Sequence, residues 1–144
     1  MLRVIADTNI VISGLFFPGN EEKLIQLALS DKIGLILPEY VIMETRSWIN
    51  QNRKKLGFTK AGAENLQLLL QHATLLSEND YKQKIHEAQS MIRDPEDAPI
   101  LAAVLSTPHD YFVSGDQDFR VLGLPTHVST RELLKQIHAT PSVQ

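Results

Sequence analysis

The chain has 144 residues, 43% of them hydrophobic and 22% charged, which is typical of one soluble domain with a substantial core. It has no cysteine, and this excludes disulfides, thiolate zinc sites and cysteine nucleophiles. The net charge of −3 argues against a broad basic surface for nucleic acid. This net charge does not exclude a small metal-dependent nucleic-acid site. If four of the acids are metal ligands, the rest of the chain, without their four negative charges, carries a charge of +1 rather than −3.

The sequence also lacks the signals of export and of membrane insertion. No run of 18 apolar residues occurs, and the N-terminus has no basic segment followed by an apolar one. We therefore expect a cytoplasmic protein that does not associate with membranes.

Apolar periodicity divides the chain into alternating strands and helices. Short apolar runs predict buried strands at 1–6, 33–37, 74–76, 111–113 and 127–128. Helical spacing predicts helices at 10–16, 21–29, 39–50, 59–70, 81–90, 94–105 and 130–138, with a polar, basic hinge at 51–55 and Gly57. This alternation is typical of an α/β fold with a parallel sheet. We predict one domain over 1–138 and a flexible tail over 139–144.

Asp7 directly follows the first predicted strand. Ligands of open α/β sheets bind in the crevice outside the carboxyl ends of the strands, so a carboxylate there is a candidate ligand. A helix N-cap is the plain alternative. Thr8 or Asn9 could provide that cap instead, and both could orient a ligating Asp7 through hydrogen bonds.

Glu44 lies on the helix that follows the second strand, so its first turns should lie near the same crevice. Helical spacing groups it with Tyr40, Ser47 and Trp48, beside the apolar stripe. A solvated surface charge is the alternative.

Further acids follow at predicted helix starts and turns. Asp94-Pro95-Glu96-Asp97 is a favourable helix start, which explains Asp94 as a cap and leaves Asp97 open to a second role. Asp116 and Asp118 follow the fourth strand in the segment SGDQDF, where a turn or cap could explain either residue.

Carboxylates gathered at one edge of a sheet repel one another unless cations compensate. Ligand sets made only of oxygen suit Mg²⁺ or Mn²⁺. A pair of such ions can activate water and stabilise the leaving oxygen of a phosphodiester.

Four segments together resemble the PIN-domain nucleases, specifically the prokaryotic PIN-family toxins of toxin–antitoxin systems. They are VIADTNIVISGLF, LPEYVIMETRSWI, RDPEDAPILAAVL and DYFVSGDQDF, and they occur in the family's order over nearly the whole chain. The resemblance implies a three-layer α/β/α fold with a central parallel sheet.

The resemblance also implies roles for individual residues. Asp7, Glu44, Asp97 and Asp116 match the acidic metal-binding quartet, and Asp118 matches a variable additional acid that could replace Asp116 as a ligand. Asn9 and Ser114 match polar residues that line the site. Family members hydrolyse RNA with Mg²⁺ or Mn²⁺, and the toxins bind a cognate antitoxin and often form homodimers.

Within this frame we hypothesise that Asp7, Asp97 and Asp116 hold a first cation, while Glu44 holds a second or orients water. RNA contacts could come from Arg46, Arg53, Lys54 and Lys55, although a solvated hinge explains that charge run slightly better. Tyr40 and Trp48 could stack on bases, with a core position favoured for Trp48.

Other folds with carboxylates at strand ends fit less well. A receiver domain needs adjacent acids near the first strand and a later lysine, and a haloacid-dehalogenase-type phosphatase needs an acid where Asn9 stands. Neither GxGxxG nor GxxxxGK[ST] occurs. A non-catalytic PIN-like module that binds RNA or protein remains the main alternative.

Overall fold

The computed structural model describes residues 1–55 and 59–139. Five strands in this part of the chain form one sheet, in which every neighbouring pair is parallel and the order is β3-β2-β1-β4-β5. The strands are β1 (Arg3–Ala6), β2 (Gly34–Pro38), β3 (Thr74–Leu76), β4 (Tyr111–Val113) and β5 (His127–Val128). The predicted α/β class with a parallel central sheet is confirmed.

The connecting segments between the strands are largely helical. The helices are α1 (Thr8–Phe16), α2 (Asn20–Leu29), α3 (Glu39–Asn52), α4 (Thr59–His72), α5 (Glu78–Tyr81), α6 (Ile85–Met91), α7 (Ala98–Ser106), α8 (Gln117–Arg120) and α9 (Thr130–Ala139). Two 3-10 turns, Lys82–Lys84 and Pro95–Asp97, precede α6 and α7. None of the helices within the described ranges combines the length and apolarity needed to cross a bilayer.

The helix boundaries differ from the prediction in three places. The single helix expected over 81–90 is broken, because Ser77 and Asp80 form a capping box that starts α5 early and a 3-10 turn follows Tyr81. The helix expected from Asp94 begins as a 3-10 turn, and α8 was not expected. Of the predicted tail, Ala139 ends α9, whereas residues 140–144 and the hinge residue Gly57 lie outside the described residues.

The strand order reverses direction beside β1. The chain runs outward from β1 to β2 and β3 on one side, then returns to place β4 and β5 on the other. Such a switch point opens a crevice at the carboxyl ends of the two central strands. Ala6 pairs with Val113, and the Asp7 N–H donates to the Val113 carbonyl at 3.2 Å, so Asp7 and Ser114 leave the sheet side by side.

Strand β1 lies at the centre of the core, with Val4, Ile5 and Ala6 fully buried. At roughly 25 cal/mol per Å² of apolar surface, burial of such side chains is the main stabilising contribution to the sheet. The same burial fixes β1 in place, and so it fixes the position of the Asp7 backbone at the end of the strand.

Gly14 lets α1 and α2 approach closely. A Cβ at this position would lie 2.3 Å from Ile25 Cγ1 and 2.7 Å from the backbone carbonyl oxygen of Glu21. We expect Gly14→Ala to lower the free energy of unfolding by about 1–3 kcal/mol, despite the better helix propensity of alanine. Gly34→Ala is the control for urea denaturation, because its nearest contact is 3.6 Å. Equal stability of the two variants would disprove this packing.

Candidate metal centre

The carboxyl ends of β1 and β4 open into a cleft of about 520 Å³. Residues at the end of β1, on α1 and α3, from the 3-10 turn into α7, and in the loop after β4 line it: Asp7, Thr8, Asn9, Ile12, Glu44, Ser47, Trp48, Gln51, Asp94, Glu96, Asp97, Ile100 and Asp116. The four acids of the predicted quartet therefore lie in one cleft, although they come from four separate segments of the sequence.

Asp7 is held in place by hydrogen bonds to both carboxylate oxygens. Its Oδ1 accepts from the Ile10 N–H at 3.0 Å, and its Oδ2 accepts from the Ser114 hydroxyl. Of the three residues that could provide the N-cap of α1, Asp7, Thr8 and Asn9, the structure has Asp7 in that role. The side chain is only 3% exposed, and this burial raises its pKa, with the negative charge of Asp116 adding to the effect.

Ser114 connects the two central strands at the cleft. It is fully buried, and its hydroxyl donates to Asp7 and accepts from the Asp116 N–H at 3.0 Å. Its carbonyl oxygen accepts from His127 Nε2 at 2.8 Å. One hydroxyl therefore orients Asp7 and also holds the loop that carries Asp116.

Asp116 faces the cleft while also capping a short helix. Its Oδ1 accepts from the Asp118 N–H at 2.9 Å, which makes it the N-cap of α8. The capping role that the sequence suggested and the cleft position occur in the same residue.

Glu44 is fixed by two hydroxyl groups. Thr8 Oγ1 donates to Glu44 Oε1, and the Tyr40 hydroxyl also hydrogen-bonds the Glu44 carboxylate. Burial and the negative charge of Glu44 raise the pKa of Tyr40 to about 12, so Tyr40 stays a donor at neutral pH. Thr8 acts on Glu44, whereas the sequence had suggested that it supports Asp7.

Asp97 lies at the centre of the acidic residues. It ends the 3-10 turn that Asp94 caps, where Asp94 Oδ1 accepts from the Glu96 N–H at 3.0 Å. Burial and then the negative charges of Asp116, Asp94, Asp118 and Asp7, in that order of effect, together raise the pKa of Asp97 to about 7.

A second set of acids meets at Asp97. Asp94, Asp97 and Asp118 each present an oxygen within 4.8 Å of the others. The Arg93 Nε lies 3.3 Å from Asp118 Oδ1, although the Arg93 side chain is 87% exposed. The sequence indicated only a capping role for Asp94 and did not indicate an ion pair for Arg93. The position of Arg93 immediately before Asp94 was the one feature of the sequence that could have suggested it.

The basic residues suggested for RNA contact do not line this cleft. Arg46 and Arg53 line grooves between α3 and α4, and Lys54 and Lys55 are exposed where α3 ends. Ser47, Trp48 and Gln51, on a neighbouring face of α3, line the cleft instead. Asn9 also lines the cleft, and it borders an adjoining groove with Asp116 and Gln117.

The donor set of the cleft fits a hard divalent cation. Its polar side chains end in carboxylate, hydroxyl and amide groups, and oxygen is the ligand that Mg²⁺ and Mn²⁺ prefer. Six carboxylates line the cleft without a lysine or arginine among the lining residues. A cation there would relieve the repulsion that raises the pKa of Asp97.

We expect the metal-free protein to lose stability through Asp97 as the pH rises. Because its pKa is higher in the folded state, about 7, than in the unfolded chain, the folded state holds its proton more tightly. This contribution is complete at low pH and is lost as the pH rises from about 4 to 7. In EDTA, the melting temperature of Asp97→Asn should therefore exceed that of the unsubstituted protein by more at pH 8 than at pH 5. An equal difference at both pH values would contradict this electrostatic arrangement.

Comparisons with known proteins agree with this architecture. The family model described as PIN domain matches residues 5–138, a range that includes every acid of the cleft. A chain in the crystal structure of VapBC2 from Rickettsia felis, bound to a DNA fragment from their promoter, has a similar fold. The TM-score is 0.59 at 12% sequence identity, covering 89% of this chain and 97% of that chain. A search of curated proteins finds no match. Because the family match spans almost the whole fold and all of the cleft acids, the chain belongs to the PIN-domain family of nucleases.

Proposed function

We propose that this protein is an endoribonuclease that hydrolyses RNA phosphodiester bonds with Mg²⁺ or Mn²⁺ held in the acidic cleft. The observation that carries the proposal is the convergence of Asp7, Glu44, Asp97 and Asp116 on one cleft at the switch point of the sheet. Membership of the PIN-domain family supports it independently.

Asp7, Asp97 and Asp116 would hold the cation, with Asp118 and Asp94 as further candidate ligands beside Asp97. When bound, the metal lowers the pKa of a water molecule and stabilises the leaving oxygen of the phosphodiester. Ser114 fixes Asp7 and the Asp116 loop relative to each other, so these two carboxylates keep one geometry. In metal sites, hydrogen bonds that orient the ligating residues in this way contribute about 10–100-fold to metal affinity or activity.

Glu44 would act on the attacking water or on a second cation. The hydroxyl donors of Thr8 and Tyr40 hold its carboxylate in one orientation. A carboxylate fixed in this way can accept a proton from a water molecule placed beside it. Hydrolysis adds the elements of water across one P–O bond and leaves a phosphate monoester on one fragment and a hydroxyl on the other.

The test is cleavage of a single-stranded RNA by the purified protein with Mg²⁺, with Mn²⁺ and with EDTA. We expect internal cleavage with either divalent cation and none with EDTA. Absence of cleavage, or cleavage that EDTA leaves unchanged, would contradict the proposal and favour a PIN-like module that only binds.

We further propose that the protein is the toxin of a toxin–antitoxin pair, held inactive by a cognate antitoxin, and that it forms a homodimer. The structural likeness to a chain of the VapBC2 complex supports this assignment at the level of the fold. Expression alone should arrest growth, and expression with the neighbouring open reading frame should restore it. Equal growth in both cases would contradict the toxin role, and size-exclusion chromatography tests the dimer.

A further inference from the structure

The cleft is lined by two kinds of side chain. Six are carboxylates: Asp7, Glu44, Asp94, Glu96, Asp97 and Asp116. Ser47, Trp48 and Gln51 are uncharged and follow Glu44 along α3, and we call these three residues the α3 wall. A metal site explains the acids, but it gives no reason for an aromatic ring flanked by a hydroxyl and an amide.

Trp48 packs against two other aromatic rings beside the cleft. Its ring lies 5.0 Å from the Phe16 ring in a tilted contact and 6.4 Å from the Phe17 ring in an edge contact. Trp48 is nevertheless only partly buried, and it lines the cleft. Contacts with the two phenylalanines therefore fix the indole while part of it stays accessible, which lowers the entropic cost of stacking a ligand on it.

Polar groups flank the indole on the same face of α3. Ser47 and Gln51 are four residues apart, and Gln51 Nε2 donates to Ser47 Oγ at 3.3 Å. The hydrogen bond orients the amide, whose carbonyl oxygen can still accept. An aromatic platform beside donors and acceptors is the usual means of recognising an unpaired base in single-stranded RNA.

We propose that the α3 wall is a nucleobase subsite, in which Trp48 stacks on a base next to the cleaved phosphodiester and Gln51 hydrogen-bonds the edge of that base. This inference rests on the proposed function, because the acids define where the phosphodiester lies. A nucleotide combines an anionic phosphate with a flat uncharged base, and the cleft combines carboxylates that can hold a cation with a flat indole and two uncharged polar side chains. The volume of about 520 Å³ lies within the usual range of small-ligand sites.

The subsite gives the enzyme a preference that phosphate contacts cannot provide, since those contacts carry no sequence information. Trp48 would require an unpaired base at one position, and Gln51 would discriminate among the bases there. We therefore expect cleavage of single-stranded segments and weak cleavage of the same sequence within a duplex.

The experiment combines cleavage with the fluorescence of Trp48, the one tryptophan of the chain. The cleavage position in a short RNA is mapped with Mg²⁺, and each nucleotide flanking it is then replaced in turn by an abasic ribose. We expect kcat/KM to fall by about 5-fold to 150-fold at one position, the effect of one lost stacking interaction. Mixing with the intact RNA should quench Trp48 emission, whereas the RNA that is abasic at that position should not.

Three variants test the assignment to the α3 wall. In Trp48→Leu the abasic replacement should cause no further fall in kcat/KM, because the stacking interaction is already absent. Trp48→Phe retains an aromatic ring against Phe16 and should retain part of the base dependence, which separates stacking from misfolding. Gln51→Ala should reduce discrimination among the four bases, and Asn50→Ala, on the groove between α3 and α4, should behave as the unsubstituted protein.

The two proposals fail in different ways. Equal cleavage of intact and abasic RNA without a change in emission would overturn the base subsite and leave the nuclease assignment intact. Base-dependent quenching without cleavage would show that the α3 wall binds a base but would overturn the nuclease assignment, and with it the position of that base beside a cleaved phosphodiester. If neither cleavage nor base-dependent quenching occurs, the nuclease assignment and the base subsite are both overturned.

Discussion

Asp7→Asn is expected to abolish divalent-dependent cleavage of RNA, with a loss of about 100-fold or more, while the protein remains folded. Changes in groups that merely orient metal ligands cost about 10–100-fold, so loss of a ligating charge should cost at least as much. Asparagine is as good an N-cap as aspartate and can still accept from the Ile10 N–H. Cleavage rates with saturating Mg²⁺ and Mn²⁺ measure the effect.

The same variant should be more stable than the unsubstituted protein when metal is absent. Asp7 is almost completely buried and faces the charge of Asp116, and both effects disfavour its ionised form. Removing that charge should raise the melting temperature in EDTA by about 2–6 °C, the shift that 1 kcal/mol causes in domains of similar size. Ser114→Ala is the control that removes the hydrogen bond orienting Asp7 but keeps the Asp7 charge, and its expected loss of activity is about 10–100-fold. Full activity of Asp7→Asn would refute the mechanism.

Mn²⁺ or Mg²⁺ should stabilise the protein strongly, and Asp97→Asn should remove most of that effect. A ligand that binds only the folded state at 100 times its Kd adds about 2.7 kcal/mol to the free energy of unfolding. Asp97 should be the most sensitive position because the charges of Asp116, Asp94, Asp118 and Asp7 all act on it, and its carboxylate also clusters with those of Asp94 and Asp118. Thermal melting over a metal titration measures the effect.

Glu22→Gln is the control for this titration, since Glu22 is an exposed acid in the first turn of α2 and does not line the cleft. It should keep the full metal-induced shift. If Mn²⁺ stabilises Asp97→Asn as much as the unsubstituted protein, Asp97 is not a ligand. If Mn²⁺ stabilises neither, the chain is a module that only binds macromolecules.

Local patterns in the sequence were sufficient to predict most of the sheet. Even the three-residue strand Thr74–Leu76 and the two-residue strand at His127 were predicted, because turn residues bound short apolar runs. Helix starts were harder, since several residues compete for each cap. Asp7, Thr8 and Asn9 could each have been the N-cap of the first helix. Asp7 takes that role, and its side chain is held by a hydrogen bond from Ser114, which is 107 residues away in the sequence.

The composition of the cleft was predicted only in part, for a related reason. The positions of Asp7, Glu44, Asp97 and Asp116 relative to the predicted strands indicated that these acids gather at one edge of the sheet. In the structure all four line the cleft at that edge. Helical spacing grouped Ser47 and Trp48 with Glu44, and both line the cleft. Arg46 was suggested because it is basic and follows Glu44, but it lies on the face of α3 toward α4. Asp94 was assigned to a cap and does cap, but its proximity to Asp118 depends on the loop after β4.

Anomalous X-ray scattering from crystals soaked in Mn²⁺ tests the central claim most directly, because it locates the ion without relying on activity. We expect a manganese peak in the cleft within ligand distance of Asp7, Asp97 or Asp116, and we expect Asp97→Asn crystals to lose it. A cleft without manganese at saturating concentration, or a peak bound only elsewhere on the molecule, would contradict the account.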